Sequence, residues 1–191
     1  MPVMVLPDLH LFPGCMLPLY VFEERYRLML AQALGSNRMF CVGNREGVDG
    51  YGTDRVSPHS TAGLVRCCVK QQDGTSQLLL MGLKRIRITG WTQEKPYRIA
   101  RIEEVPTIIQ DIEEARRLQA RALSVFKIGG EEHAKELRAL LEKNEDPEMV
   151  CDVLSYHFTR CPKLQQKLLG ESCLEERLRM LVTALEKTHG E

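Results

Sequence analysis

No stretch of the sequence approaches the roughly 18 to 20 consecutive apolar residues that span a bilayer. The first 24 residues contain no Lys or Arg, and prolines at 2, 7, 13 and 18 interrupt their apolar content. The chain therefore reads as neither membrane-spanning nor led by a secretory signal, and the expected location is cytoplasmic. Net charge is also missing: 26 basic residues face 26 acidic ones. With no global field to hold a polyanion, nucleic-acid binding would need a local basic patch. The seven cysteines, at 15, 41, 67, 68, 151, 161 and 173, are odd in number and form no C-x-x-C pair. They read as reduced, largely buried thiols. Aromatic residues make up only 6% of the chain.

Catalytic motifs are scarce too. There is no G-x-x-x-x-G-K-[ST] phosphate loop, no G-x-G-x-x-G, no H-E-x-x-H and no G-x-S-x-G. One S-x-x-K match, Ser124 to Lys127, lacks the S-D-N or K-T-G partners that would give it meaning. We expect no catalytic residue, no cofactor and no metal.

What the sequence does contain, at 43% hydrophobic and 27% charged, is an ordinary folding composition. It divides near residue 110. Residues 1–110 hold 13 basic and 10 acidic residues, eight of the eleven aromatics and seven of the nine prolines, in short runs broken by Gly, Pro and Asp. This half is expected to be strands. Residues 111–191 hold 13 basic and 16 acidic residues, with apolar positions at helical spacing. This half is expected to be helices.

The clearest hairpin runs from Gly63 to Lys70, turns through Asp73-Gly74 and returns from Gln77 to Gly90. Alternation predicts Val65, Cys67 and Val69 on the inner face, with Arg85 and Arg87 together on a solvated face. A strand from Tyr97 to Val105, closed by Pro106, is expected to end the sheet. One helix interrupts this half. Phe22, Tyr26, Met29, Leu30, Ala33 and Leu34 recur at its period, and Gly35 sits at its C-terminal cap.

In the second half Asp111 with Glu114 suggests a capping box, followed by the stripe Ile112, Ala115, Leu118, Ala122 and Val125 up to Gly129-Gly130. Ala134, Leu137, Leu140 and Leu141 form another stripe. Asp146-Pro147 starts a helix carrying Val150, Val153, Leu154, His157 and Phe158, and Pro162 to Gly170 makes a short one. Ser172 with Glu175 is expected to cap the last, whose Leu174, Leu178, Leu181 and Leu185 face inward.

Three groups of residues carry chemistry worth weighing. His157 and Cys161, four apart, could share a helical face as metal ligands, but Pro162 follows at once and a packed thiol is the simpler reading. His59 and His157 are the candidate bases of an unrecognised enzyme. Lys84, Arg85 and Arg87 could meet phosphates from a strand, or be paired with carboxylates such as Glu23.

The most specific stretch is Leu11-Phe12-Pro13-Gly14-x-x-Leu17-Pro18-Leu19-Tyr20-Val21-Phe22-Glu23-Glu24-Arg25-Tyr26-x-x-Met29. It closely resembles the amino-terminal, substrate-binding domain of Lon proteases and its stand-alone relatives, with the signature L-F-P-x-x-x-L-P-L-x-[IV]-F-E-x-R-Y. Gly82-Leu83-Lys84-Arg85-Ile86-Arg87-Ile88 is similar to the family's G-x-x-R-[FV]-x-[IL] block. Pro96-Tyr97 ahead of Ala100-Arg101-Ile102-Glu103 is similar to its P-Y-x-x-A-x-[VI]-E block.

The resemblance implies an α+β fold, a PUA-like β pseudo-barrel over residues 1–110 followed by an all-helical bundle over 111–191. It implies a non-catalytic module that recognises unfolded polypeptide or a protein partner, because the ATPase and Ser-Lys peptidase of Lon have no counterpart in these residues. The alternative is an RNA-binding or other nucleic-acid-binding PUA-like module, which the neutral charge disfavours. No membrane partner is expected. Leu17, Leu19, Phe22, Tyr26 and Met29 are expected in the core. Phe12, Tyr20, Trp91 and Tyr97 are candidates to line a groove where an extended peptide adds along a sheet edge. Glu23, Arg25 and Arg85 match polar signature positions, and read either as binding residues or as an ion pair tying helix to sheet.

Overall fold

The computed structural model describes residues 1–48, 50, 54–126 and 132–187, with the backbone alone at 132–135. The chain is α+β and divides into two compact units, Met1–Val105 and Pro106–Glu191.

The first unit contains β1 (Pro2–Leu6), β2 (Met16–Val21), α1 (Glu24–Leu34), β3 (Met39–Val48), β4 (Asp54–Val56), β5 (His59–Lys70), β6 (Ser76–Gln93) and β7 (Arg98–Glu104). Antiparallel pairing joins β3 to β5, β5 to β6, β6 to β7 and β7 to β1, and β1 returns to β3 in parallel. The hydrogen-bonded path thus closes on itself. β2 lies outside this circuit and pairs with the first part of β6, while β4 pairs with β3.

One apolar cluster gathers Leu11, Leu17, Val21, Met29, Leu30, Phe40, Val65, Leu78 and Leu80 beneath α1. A second gathers Val3, Val5, Cys41, Ala62, Ile86 and Ala100. Each Val, Leu, Ile, Met or Phe side chain removed from water in them contributes roughly 1.5–3 kcal/mol.

Two blocks of the signature meet at Gly82. The loop before β2 places Phe12 O against it, Gly14 N–H donates to Gly82 O at 3.0 Å, and Gly82 N–H donates to Cys15 O at 2.9 Å. A Cβ built on Gly82 would stand 2.0 Å from Phe12 O, so no larger residue fits.

The second unit holds α2 (Ile112–Val125), α3 (Glu132–Glu142), α4 (Pro147–Phe158), α5 (Pro162–Gly170) and α6 (Leu174–Lys187). Asp111 caps α2 by accepting from Glu113 N–H and Glu114 N–H, and Asp146 caps α4 by accepting from Glu148 N–H, with Pro147 in the first turn. Leu174, Leu178, Leu181 and Leu185 of α6 are buried as expected, and α6 packs against α2, α4 and α5. Beside them lies a fully buried cation: Arg177 donates to Thr107 Oγ1 at 2.8 Å, to Glu148 Oε1 at 3.2 Å and to Asp152 Oδ1 at 3.4 Å.

Several expectations are corrected. Phe22 precedes α1 instead of lying on its inner face and is 60% exposed, because the helix starts only at Glu24. Gly35 is the C-cap as expected, with φ −79°, and the left-handed residue after α1 is Arg38, at φ 62°. Arg85 is buried while Arg87 is exposed, so the two do not form one solvated face. On α3 Leu141 is buried but Leu140 is exposed.

Ser172 and Glu175 do not form the expected cap. Glu175 is buried and reaches instead to the start of α2, accepting from Gln110 N–H at 2.8 Å and Asp111 N–H at 2.7 Å. Ile108 bridges to Cys173, which carries residues 106–110 into the helical unit, beyond the boundary drawn at 110. The Gly129-Gly130 stop lies outside the described residues.

The inner face expected for Val65, Cys67 and Val69 is also wrong after Val65, for a local reason. On β6 the partners of Val65 and Cys67 are the neighbours Leu80 and Leu79, so Arg66 is an extra residue in β5. A bulge of one residue inverts every later side chain. Cys68 consequently packs on the core, whereas Cys67 and Val69 face solvent.

Candidate functional site

The inversion at Arg66 matters because it builds an apolar face on the outside of β2, β6 and β5. Their registers set three rows side by side: Met16, Met81 and Leu64; Pro18, Leu79 and Cys67; Tyr20, Gln77 and Val69. The alternate residues Leu17, Leu80 and Val65 point to the core, so one sheet serves two apolar surfaces. Tyr20 is 54% exposed and Val69 60% exposed. Pro18, Tyr20, Cys67, Val69, Gln77 and Leu79 line a groove of about 420 Å³ that has no charged residue in its wall. Tyr20 stacks on exposed Phe22, with ring centroids 5.8 Å apart, which extends the face toward α1.

Large exposed apolar patches on folded chains mark places where other molecules bind. This one offers aliphatic and aromatic contact with a single amide, Gln77, among its rows. It can hold apolar side chains of varied shape. Its lining contains no carboxylate, imidazole, amine or guanidinium.

The profile of the family described as the ATP-dependent protease La (LON) substrate-binding domain matches residues 1–187. The chain belongs to this family. Among curated relatives, the Lon protease of Escherichia coli K12 is 27% identical over 192 residues, covering 97% of this chain and 24% of that protein. The Lon protease of Trichlorobacter lovleyi is 24% identical over 161 residues, covering 81% of this chain and 20% of that protein. The chain thus spans about a quarter or less of the length of these Lon proteases.

Two solved structures share the fold. The N-terminal domain of the Mycobacterium avium complex Lon protease superposes with a TM-score of 0.78 at 19% identity. A Lon N-terminal domain protein from Xanthomonas campestris gives 0.70 at 20% identity. Each match covers 96% of both chains.

The seven residues singled out by resemblance to the Lon family do not gather in one place, although Arg25 and Tyr97 line a separate pocket with Tyr26, Asp54 and Arg98. Tyr20 alone stands in the apolar groove. Phe12 is fully buried and Tyr97 is 5% exposed, its hydroxyl bonded to Gln32, so neither offers a face to a peptide. Tyr97 belongs to the apolar cluster of α1, and the Phe12 carbonyl lies against Gly82. Trp91 is half-buried with the Arg98 guanidinium 4.9 Å above its ring. Half-buried Glu23 and exposed Arg25 pair with each other at 2.8 Å, a contact two residues long that ties no helix to a sheet. Arg25 also lies 4.5 Å over the Tyr26 ring. Arg85 is buried.

The basic strand is neutralised across the sheet. Lys84 Nζ lies 2.7 Å from Glu104 Oε1, and Arg87 lies 2.8 Å from Glu103 Oε2 directly opposite on β7. Pairing removes the local field a phosphate backbone would need.

The two candidate bases are no better placed. His59 sits opposite Arg87, and burial first, then that cation, lower its pKa; burial lowers that of His157. His157 belongs to α4, whereas Cys161 is the N-cap of α5, so the proposed shared helical face does not exist. Among the described residues no three His, Cys, Asp or Glu side chains gather as metal ligands, and no helix is long and apolar enough to cross a membrane.

Sequence reasoning missed most of the apolar face. Met16, Leu79, Met81, Cys67 and Val69 carry no motif. The signal that could have found them is the excess of apolar residues over inward positions in β5 and β6.

Proposed function

We propose that the chain is a non-catalytic polypeptide-binding module of the Lon substrate-binding type, acting in the cytoplasm without a cofactor. Its first unit is a PUA-like pseudo-barrel, a reading supported by the strand circuit that returns to β1. Its second unit is a helical bundle. The observation that carries the proposal is the uncharged, solvent-facing apolar groove over β2, β6 and β5.

The ligand is a segment of unfolded polypeptide rich in apolar residues. Such a segment exposes what a folded protein hides, and the face supplies contact without demanding a sequence. β2 pairs only with β6 among the described residues, which leaves an edge, but Pro18 interrupts its row of N–H donors. Side-chain capture on the face, more than addition of a strand at the edge, provides the binding.

The test is an NMR titration of the labelled chain with a permanently unfolded, carboxymethylated polypeptide and, separately, with a short single-stranded RNA. Saturable shifts clustered on Met16, Tyr20, Val69 and Leu79 with the polypeptide support the proposal. Absence of binding, shifts confined to other surfaces, or a response to RNA alone overturn it.

A further inference from the structure

The helical unit carries a second groove, of different chemistry. Between α5 and α6, at the end of α4, Phe158, Leu164, Met180 and Ala184 floor an open groove of about 560 Å³. Its rim is cationic throughout: Arg160 and Lys167 on one wall, Arg179 and Lys187 on the other, with no carboxylate among the lining residues. Arg179 is engaged by Glu176 at 2.6 Å and Glu114 at 3.4 Å. Arg160, Lys167 and Lys187 are exposed and form no ion pair among the described residues. This concentration of positive charge lies in the half of the chain that is acidic, with 13 basic against 16 acidic residues over 111–191.

We propose that this groove docks an acidic amphipathic helix of a partner protein, its apolar stripe on the floor and its carboxylates reaching both walls. The proposal does not depend on the β-sheet face. Charge complementarity selects the occupant. Arg179 and Lys187 are eight residues apart on α6, about 12 Å along the axis at 1.5 Å per residue. Cations on two walls over that length match acidic side chains on both flanks of a helical stripe. A fatty acid brings one carboxylate and would leave most of the rim unanswered. A membrane surface is flat, whereas the apolar residues here lie below the rim.

The experiment measures fluorescence anisotropy of a labelled helix-forming peptide of about 18 residues, long enough to span the groove. One version carries a Leu stripe flanked by Glu; the other has Lys in place of every Glu. The full chain is expected to bind the Glu peptide at least about 10-fold more tightly at low salt, an advantage that shrinks as salt rises. Bound peptide should protect Cys161, which lines this groove, from alkylation and leave Cys67 on the β-sheet face reactive. The variant K167E/K187E, altered only at exposed positions, should prefer the Lys peptide.

Equal affinity for the two peptides, no binding of either, or protection of Cys67 instead of Cys161 overturns the proposal. So does capture of the chain by phosphatidylglycerol vesicles when the Glu peptide does not bind.

Discussion

The Tyr26 hydroxyl accepts the Val5 N–H at 3.0 Å and donates to the Val5 carbonyl at 2.9 Å. One side chain of α1 thereby stands where a further residue of a neighbouring strand would pair with β1, since β7 reaches only Pro2 and Val3. Burial raises the pKa of this hydroxyl, against the opposing influence of Arg25, so it keeps its proton and both bonds. Tyr26→Phe leaves the Val5 amide and carbonyl without that partner. We expect a loss of about 1–3 kcal/mol in urea unfolding, with Val5 N–H exchange accelerated more than that of β6. Unchanged stability would show that water replaces the hydroxyl.

Gly82→Ala tests the close approach of two signature blocks. The added methyl must displace Phe12 O, which is backbone and cannot rotate away. A cost of about 3 kcal/mol or more is expected, at the upper end for overpacking, read as a lowered thermal midpoint. Gly14→Ala, where the Cβ meets open space but φ is +74°, should cost less, about 1 kcal/mol from backbone strain alone.

Arg177→Leu removes the cation and leaves Asp152 buried opposite an apolar group. Removing one member of such a pair costs about 3–5 kcal/mol. The effect should appear in the helical unit, as faster amide exchange in α4 and α6. Arg177→Leu combined with Asp152→Leu should recover part of the loss, and failure to recover any would argue that Glu148 and Thr107 dominate.

Glu175 makes stability depend on pH. Burial would raise its pKa, but hydrogen bonds from the Asp111 backbone, the Cys173 thiol and the Gln110 backbone outweigh it and hold the value at about 2, against an ordinary 4.5. The folded chain therefore binds fewer protons at this site than the unfolded one. Its stabilisation is complete above about pH 4.5 and is lost as pH falls toward 2. Glu175→Gln should cost about 1–2 kcal/mol at neutral pH, in the range for hydrogen bonds to a charged acceptor. The difference from the parent chain in urea midpoint should narrow steadily below pH 4. A constant gap down to pH 2 would contradict the assignment.

On the apolar face, Tyr20→Ser and Val69→Ser alter exposed side chains and should leave stability within about 0.5 kcal/mol. Together they should weaken binding of unfolded polypeptide at least about 10-fold, which corresponds to roughly 1.4 kcal/mol. Because no charged residue lines the groove, affinity should change little between low and moderate salt.

The parts of the fold that depend on neighbours in sequence were legible. Asp111 and Asp146-Pro147 announce their helices because capping is settled within four residues. The stripe Leu174 to Leu185 follows from helical spacing. The bulge at Arg66 was not legible, since an inserted residue leaves no trace in an alternating pattern until the partner strand is known. The Arg177 pairing was hidden for the same reason: its partners are 25, 29 and 70 residues away. Of the candidate site, Tyr20 came from the signature. Leu79 and Val69 were not legible as outward-facing, because composition cannot tell a core strand from one apolar on both sides.

Arg66 also sets a rule for how the β5 segment can change over time. Lengthening or shortening the Gln71–Thr75 turn alters only a loop tip. Shifting the register by one, so that Arg66 itself pairs with Leu79, would restore strict alternation, turning Cys67 and Val69 inward and Cys68 outward. The same amino acids would then be hidden, and the β5 share of the adhesive surface would vanish without the loss of a single hydrophobic group.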